Sequence, residues 1–486
     1  MSNYKQICYN YLSKISLTSI FIYSITLLTI IKIIATVFTS PIMGYANNYD
    51  FLRQSSCIGI WQSIQDKPKT SEHLEGPVNS LIYDGSKDQN LCMNSIDNAF
   101  PWIAKSFHKI GDKIDFREIS LWKTIILLLG FSLLIHIATE KYKKLAISLI
   151  FFLVFGDITN LLYINTLYLE FSVITSSFFA LFFTILLILS TSKNIPLFVL
   201  ASISIVWLGL AKQQYMPLAV LLGLICTINL IKNWKEKRFY LLFLLISIAI
   251  PIIYNKMNPP DHGHMKAINF ANKTDTFLGA ILPASTNKEA ALLTLGLPKN
   301  CLIGIGQHWY TPGIHQNFPC PEVENLSRFK LIKLFIRDPS TFKEPIRNAI
   351  LGVLPFYPPY LGHLENKTDE NSLKYLFLKK SSLSYILAKI TKEDFYNFIL
   401  ISITFGLFSL ILWITLKNIN SSYRFLLMMV SMGSLVIFYS ISSSVFGDGY
   451  IALQKHAVGL LIGVAFHLVG LILLFMNWIS ARLCLN

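Results

Sequence analysis

The sequence predicts an all-α membrane protein in which about ten helices cross the bilayer. Of the 486 residues, 53% are hydrophobic and only 14% are charged, whereas a soluble protein carries about 25% charged residues. Apolar runs of about 20 residues recur along the chain, and at a rise of about 1.5 Å per residue such a run crosses the hydrocarbon core. Much of the formal net charge of +15 lies in short loops between the runs, as expected on the cytoplasmic side.

The predicted spans follow one another with both ends of the chain in the cytoplasm. Basic short loops mark that side, most strongly the loop that contains Lys235 and Arg238. Two long polar segments, 39–120 and 255–397, are predicted to be periplasmic, because long loops are translocated regardless of their charge. We expect one membrane-embedded domain over residues 1–486. The spans lie at about 17–38, 121–138, 145–155, 170–190, a run ending at 211, 217–231, 239–254, 398–416, and two runs ending near 446 and 482.

The polar stretch that follows the first span, residues 40–53, combines helix-breaking and ionisable residues. Pro41 and Gly44 end the helix, and Asp50 comes a few residues later. One interpretation is a polar turn that caps the helix, because Asn and Asp side chains bond to nearby backbone groups. The other is a carboxylate at the membrane surface that takes a proton from a substrate hydroxyl. The polar neighbours of this carboxylate are Asn47, Asn48 and Arg53.

Polar residues collect at the outer ends of the predicted helices, all on one side of the membrane. Ionisable groups close to hydrocarbon are costly and tend to be paired or functional. An outward-facing cavity beneath the two long segments fits this distribution better than a conduction path. Carboxylates suit deprotonation of a hydroxyl, and Lys and His suit stabilisation of a departing phosphate, which predicts glycosyl transfer from a lipid-phosphate sugar. The residues are Asn47, Asn48, Asp50, Arg53, Asp157, Glu170, Lys212, Gln213, Asp448, Lys455 and His456.

Each candidate also has a structural interpretation. Asp157 follows a glycine at a helix end, so it caps a helix if it is not catalytic or a metal ligand. Glu170 begins a predicted span, where a negative charge favours the helix dipole. Lys212 is placed either to snorkel to the membrane interface or to bind a phosphate. His308 is either an ordinary loop histidine or a sugar ligand, and Lys32 in the first span is expected to snorkel to the interface.

The cysteines divide according to this topology. Four of the seven fall in the two long segments, two in each. An oxidising exterior favours the pairs Cys57–Cys92 and Cys301–Cys320, and four free thiols are the alternative. Zinc-type Cys/His spacings, phosphate-binding Walker loops and dinucleotide fingerprints do not occur in the sequence. We therefore expect neither a soluble nucleotide donor nor a nucleic-acid partner.

The run Ala46-Asn47-Asn48-Tyr49-Asp50-Phe51 resembles the Asn-x-Asp-Phe motif that follows the first helix in some bacterial members of the GT-C superfamily. These polytopic glycosyltransferases use polyprenyl-phosphate sugars. Tyr168-Leu169-Glu170 and Lys212-Gln213 resemble motifs of the same group in position and order. The size and the two long loops look most like the phage-encoded O-antigen glucosyltransferases that convert serotype. In many members the first-loop acid has an acidic neighbour; Asp50 has none, so a divalent cation is left open as a cofactor.

The resemblance implies a hexosyltransferase of the bacterial inner membrane with its active site facing the periplasm. The donor is expected to be undecaprenyl-phosphate glucose, supplied by a separate synthase and flippase, and the acceptor a hydroxyl of lipid-linked O-antigen. Asp50 is assigned as general base, with Lys212, Lys455 and His456 around the donor phosphate. Direct displacement inverts the anomeric centre, and double displacement through Glu170 retains it. The alternative enzyme is an O-antigen polymerase or ligase, and the alternative without catalysis is a lipid or polysaccharide transporter.

Overall fold

The computed structural model describes residues 17–46, 49–62, 77–190, 194–231, 234–258, 263–358, 362–364, 367–416 and 420–483. Their regular structure is helical, as the sequence predicts, apart from one small sheet. Asn47 and Asn48 lie outside the described residues.

In chain order the elements are α1 (Leu17–Phe38), α2 (Tyr49–Ile58), β1 (Ile60–Gln62), β2 (Ser80–Tyr83), α3 (Ala99–Lys105), β3 (Lys113–Asp115), α4 (Phe116–Ile137), α5 (Lys141–Phe155), α6 (Ile158–Leu161), α7 (Glu170–Leu189), α8 (Ile195–Ala211), α9 (Met216–Ile231), α10 (Trp234–Met257), α11 (Gly263–Thr274), α12 (Lys288–Leu295), α13 (Lys330–Arg337), α14 (Ser340–Gly352), α15 (Leu373–Lys380), α16 (Leu383–Leu387), α17 (Lys392–Thr415), α18 (Ser421–Asp448), α19 (Leu453–His456) and α20 (Gly459–Leu483).

Seven of the described helices are long and apolar enough to cross a membrane: α1, α4, α7, most of α10, α17, α18 and most of α20. Helix α5 and the helical turns Ile158–Asn165 meet the same criteria together, with a bend of 69° between them. Two shorter apolar helices, Ile195–Ala211 and Gln213–Ile228, lie where two further spans are predicted. A multi-pass helical fold is therefore confirmed, and the total number of spans stays a prediction.

Helix α7 is the centre of the bundle. Every residue from Glu170 to Ile188 is buried, as expected of a helix that is apolar all round and enclosed by other helices. Helices α18 and α20 approach each other closely at Gly433 and Gly463. A Cβ on Gly433 would lie 2.7 Å from the Gly463 carbonyl oxygen, so this contact needs glycine, as is common between membrane helices.

Lys32 does not snorkel to the interface as predicted. Its side chain is fully buried, and its Nζ donates hydrogen bonds to the carbonyl oxygens of Gly156 and Ser381, the second at 3.2 Å. Gly156 is the C-cap residue of α5, where backbone carbonyls lack helical partners and favour a cation. The prediction was wrong because the bend after α5 places unsatisfied carbonyls beside this lysine.

The first long segment contains a three-stranded antiparallel sheet that the sequence analysis did not predict. Its order is β1-β2-β3, and Leu81 of β2 lies opposite Ile114 of β3. Strands of three or four residues are too short for a period-two pattern to identify. A disulfide joins Cys57 in α2 to Cys92 with a Cα–Cα distance of 4.7 Å, which is the pairing that the sequence analysis expected.

The second long segment builds a small apolar core of its own. The expected Cys301–Cys320 disulfide lies within this core. A π-helical segment, Asp275–Ile281, continues directly from α11. Phe335 of α13 packs against Phe446 of α18 with 4.9 Å between ring centroids. The segment therefore rests on the end of a membrane helix and roofs the space beside it.

Candidate active site

A cavity of about 1640 Å³ opens at the end of the bundle where the two long segments lie. Its walls come from α2, the starts of α7 and α9, the connection before α9, the end of α18, helix α19 and the second segment. The cavity brings together eight of the residues that the sequence analysis selected: Asp50, Arg53, Glu170, Lys212, Gln213, Asp448, Lys455 and His456.

Asp50 lies in the first turn of α2, where the positive end of the helix dipole stabilises a carboxylate. One carboxylate oxygen contacts Arg53, one turn along the same helix, and the other contacts Lys455 of α19. The Lys455 ammonium also lies 5.0 Å from the ring centroid of Tyr168. Burial lowers the pKa of Lys455 to about 7, whereas the Asp50 carboxylate and the Tyr168 ring both favour its charged form.

Glu170 begins a second chain of polar contacts. Lys212 Nζ donates to Glu170 Oε1 at 2.8 Å and to His456 Nδ1 at 2.9 Å. Because Nδ1 accepts this bond, the proton of the neutral imidazole lies on Nε2, which donates to Asp448 Oδ2 at 3.0 Å. Burial lowers the pKa of His456, although Asp448 acts in the opposite direction. The lowered pKa agrees with the hydrogen bonds, in which a neutral His456 accepts from the lysine and donates to the carboxylate.

A buried ion pair holds the start of α7 against the first segment. Lys123 Nζ lies 3.5 Å from Asp97 Oδ2 and donates to the Thr166 carbonyl oxygen at 2.6 Å. Asp97 also accepts a hydrogen bond from Ser172 at 2.6 Å. Since Ser172 is two residues after Glu170, these bonds fix the backbone that presents the Glu170 carboxylate to the cavity.

Two predicted residues have other neighbours. Gln213 lines the cavity, but the adjacent Gln214 is the amide that binds the His456 carbonyl oxygen, at 3.3 Å. His308 does not line the cavity; its Nδ1 accepts the backbone N–H of Tyr310 at 3.2 Å. His308 therefore shapes the turn that presents Tyr310, and its role as a sugar ligand stays a prediction.

Asp157 does not line the cavity either; its contacts are those of a structural residue, and its catalytic role stays a prediction. The carboxylate is fully buried and accepts hydrogen bonds from the N–H and hydroxyl groups of Thr159 and Ser384, all between 2.7 and 2.9 Å. It is the N-cap of α6 and ties α16 of the second segment to the bundle. A glycine–aspartate pair at a helix end looks the same in sequence whether it caps or catalyses.

The sequence analysis missed several residues of the cavity. Asp275, at the start of the π-helical segment, lines the cavity and accepts the Trp309 N–H at 2.6 Å. Burial raises its pKa to about 7, against the effect of this hydrogen bond. Arg328 also lines the cavity and donates to the Gly447 carbonyl oxygen at 2.8 Å. No sequence signal marks one acid or one arginine within a long polar segment, although π-helical turns are frequent at functional sites.

The surroundings of Asp50 do not fit a divalent cation. Both of its carboxylate oxygens already contact basic side chains, and a metal site needs oxygens that are free of such partners. Among the described residues, the group of potential ligands that lies close enough to hold a metal is Cys301, Cys320 and Glu322. Its two sulfurs form the disulfide described above.

Comparison with known proteins places the chain in a family. A family model described as the YfdI N-terminal transmembrane domain matches residues 5–485. The chain belongs to this family. No curated protein sequence matches it. Among solved structures, apo ArnT from Cupriavidus metallidurans is similar with a TM-score of 0.28 and 11% identity, over 94% of this chain and 77% of that one. The family and the apolar helices together confirm a multi-pass membrane protein.

Proposed function

We propose that the protein transfers a hexosyl residue from a polyprenyl-phosphate sugar to a hydroxyl of lipid-linked O-antigen, as a serotype-modifying glucosyltransferase does. The reaction takes place at the periplasmic face of the bacterial inner membrane. One observation carries the proposal: in a cavity at the end of the membrane helices, the carboxylates of Asp50 and Glu170 are each in contact with a lysine. Bases and phosphate-binding cations are thus adjacent, as glycosyl transfer from a lipid phosphate requires.

The ion pairs suggest how donor binding prepares the base. Without a donor, the anion that contacts Arg53 and Lys455 is the Asp50 carboxylate. A donor phosphate competes for the same cations, because charge-assisted bonds to phosphate are strong and suit arginine geometry. Once the cations turn to the phosphate, the Asp50 carboxylate is released from them and its oxygens can accept the proton of the acceptor hydroxyl. The lipid tail lies between helices, and the sugar extends into the cavity.

The chemical step needs no further reactant. The acceptor oxygen forms a bond to the anomeric carbon, and the bond from that carbon to the phosphate oxygen breaks. The acceptor proton passes to Asp50, and the electron pair leaves with polyprenyl phosphate, whose charge Lys455 and Lys212 stabilise. This direct displacement inverts the anomeric centre. Attack by Glu170 first, followed by the acceptor, retains it.

Transfer from a labelled donor tests the proposal against both alternatives. Purified protein in nanodiscs receives polyprenyl-phosphate [¹⁴C]glucose and lipid-linked O-antigen, and we expect labelled O-antigen and an equal amount of released polyprenyl phosphate. A pyrophosphate-linked glycan is offered as donor in a parallel reaction. Transfer from that donor alone identifies a polymerase or ligase. Absence of transfer from either donor, with flux of labelled lipid in proteoliposomes, identifies a transporter.

A further inference from the structure

One wall of the cavity has a chemistry different from that of the charged site. Helix α11 turns one face toward the cavity through Met265, Ile268, Asn269 and Asn272. These positions follow the i, i+3, i+4, i+7 spacing of a single helical face. The two lysines of the helix are engaged elsewhere, since Lys266 pairs with Glu324 at 3.2 Å and Lys273 donates to the backbone of that residue.

The amides on this face are available to a ligand. Within the described part of the chain, the side chains of Asn269 and Asn272 make no hydrogen bond, although both line the cavity. The neighbouring amides differ, because Asn255 and Asn258 each donate to a backbone carbonyl oxygen of α10, at 2.8 and 2.9 Å. A free amide offers two donors and one acceptor with two lone pairs. Such groups match the hydroxyls of a polyol.

Aromatic residues complete the wall. Trp309 and Tyr310 line the cavity, and Tyr310 is 66% exposed. The Trp309 ring is braced by Phe270 at 5.2 Å and by Phe318 at 6.1 Å between centroids. Its backbone N–H is held by Asp275. A braced indole and an exposed phenol provide apolar faces with polar edges, which suit the C–H face of a sugar ring.

We propose that Asn269, Asn272, Trp309 and Tyr310 form a subsite for a neutral sugar of the acceptor glycan. The four α11 positions carry no charge that would favour a phosphate or an acidic sugar. Lys212 and Lys455 contact Glu170 and Asp50 on the other wall, and the Arg328 guanidinium donates to the Gly447 carbonyl oxygen. Specific ligand sites typically have a small number of polar groups placed among apolar and aromatic side chains. The assignment to the acceptor rests on the proposed function and deepens it.

A glycan array tests the subsite without any transfer reaction. Labelled protein in nanodiscs is applied to neutral and acidic bacterial oligosaccharides, and we expect binding to neutral glycans. The double variant Asn269→Ala/Asn272→Ala should bind them about tenfold more weakly, because two hydrogen bonds to neutral groups are lost. Trp309→Phe should weaken binding by less than Trp309→Ala. Asn300→Ala is the matched control, since Asn300 is an exposed amide of the same segment outside the cavity.

The outcomes separate this inference from the proposed function. Binding to acidic glycans alone, or equal binding by the double variant and the control, overturns the subsite even if transfer is observed. Loss of neutral-glycan binding in the double variant supports the subsite even if no transfer from a polyprenyl-phosphate donor is found. In a transfer assay, a higher acceptor KM with unchanged hydrolysis of donor in the absence of acceptor supports the assignment to the acceptor. A defect in donor hydrolysis of equal size places the donor sugar at this wall and overturns that assignment.

Discussion

The Lys455 ammonium contacts the Asp50 carboxylate and so joins the short helix before the last span to the helix that follows the first. Both side chains are largely buried, with 9% and 15% of their side-chain surfaces exposed. A buried charge without its partner is strongly destabilising. In the proposed mechanism, the pair holds the base Asp50 and the phosphate-binding Lys455 side by side until a substrate replaces one of them.

The variant Asp50→Asn distinguishes a catalytic base from a structural residue at this position. Asn keeps the shape and most hydrogen bonds but removes the basic oxygen, so turnover should fall by roughly 100-fold or more. The measurement is single-turnover transfer at saturating donor, with Asp112→Asn as the control because Asp112 is a 51% exposed acid of the same segment. Transfer at the wild-type rate would show that Asp50 is not the base and would move that role to Glu170.

The variant Lys455→Ala should weaken binding of the donor. Loss of one charged hydrogen bond to phosphate weakens binding by about tenfold to a hundredfold. Donor affinity is measured by titration of polyprenyl-phosphate glucose in nanodiscs, and Lys299→Ala is the control, because Lys299 is 83% exposed. A variant that binds donor as tightly as wild type would remove Lys455 from the phosphate site.

Asp157→Ala should reduce stability and leave the chemistry intact. The substitution leaves the N–H and hydroxyl donors of Thr159 and Ser384 without their acceptor, at a cost of about 3 kcal/mol or more. Asp157→Asn keeps part of these bonds and should be milder. Thermal unfolding in detergent measures the loss, and transfer per folded molecule is measured in parallel. Normal unfolding with lost transfer would restore Asp157 as a catalytic candidate.

Asp275 should make stability depend on pH. Its pKa is raised from 3.8 to about 7 in the folded protein, so between these values the folded state keeps a proton that the unfolded chain releases. The contribution of Asp275 to the free energy of unfolding therefore decreases as pH rises from about 4 to about 7, and it is constant above. Asp275→Asn should melt above wild type, with a gap that widens over this range. Parallel melting curves would contradict the shifted pKa, and Asp112→Asn should leave the wild-type curve unchanged.

Reporter fusions test the predicted topology. Fusions after Lys144, Lys235 and Ser422 should read cytoplasmic, because basic short loops stay inside. Fusions after Lys69 and Lys299 should read periplasmic. A periplasmic signal at Lys235 would reverse the arrangement and place the cavity on the cytoplasmic side.

Local patterns were enough to predict the helical membrane fold and most charged residues of the cavity. Apolar runs identify membrane helices because the hydrocarbon core requires them. Asp50, Glu170, Lys212 and Lys455 were selected because each is an ionisable residue beside such a run, where a charge is costly without a function or a partner. The same reasoning also selected Asp157, which lies outside the cavity as a buried N-cap, because a buried N-cap has the same local sequence as a catalytic acid.

Tertiary structure alone decided which of these residues meet. Lys455 contacts Asp50, and Lys212 contacts Glu170, because α2, α7 and α19 converge at one end of the bundle. The amide wall of α11 and the position of Asp275 were likewise not predictable, since they depend on how the second segment packs against α18. Hydropathy defines where each helix crosses the membrane, but it carries no information on which helix ends lie together, and that depends on side-chain packing between segments far apart in the chain.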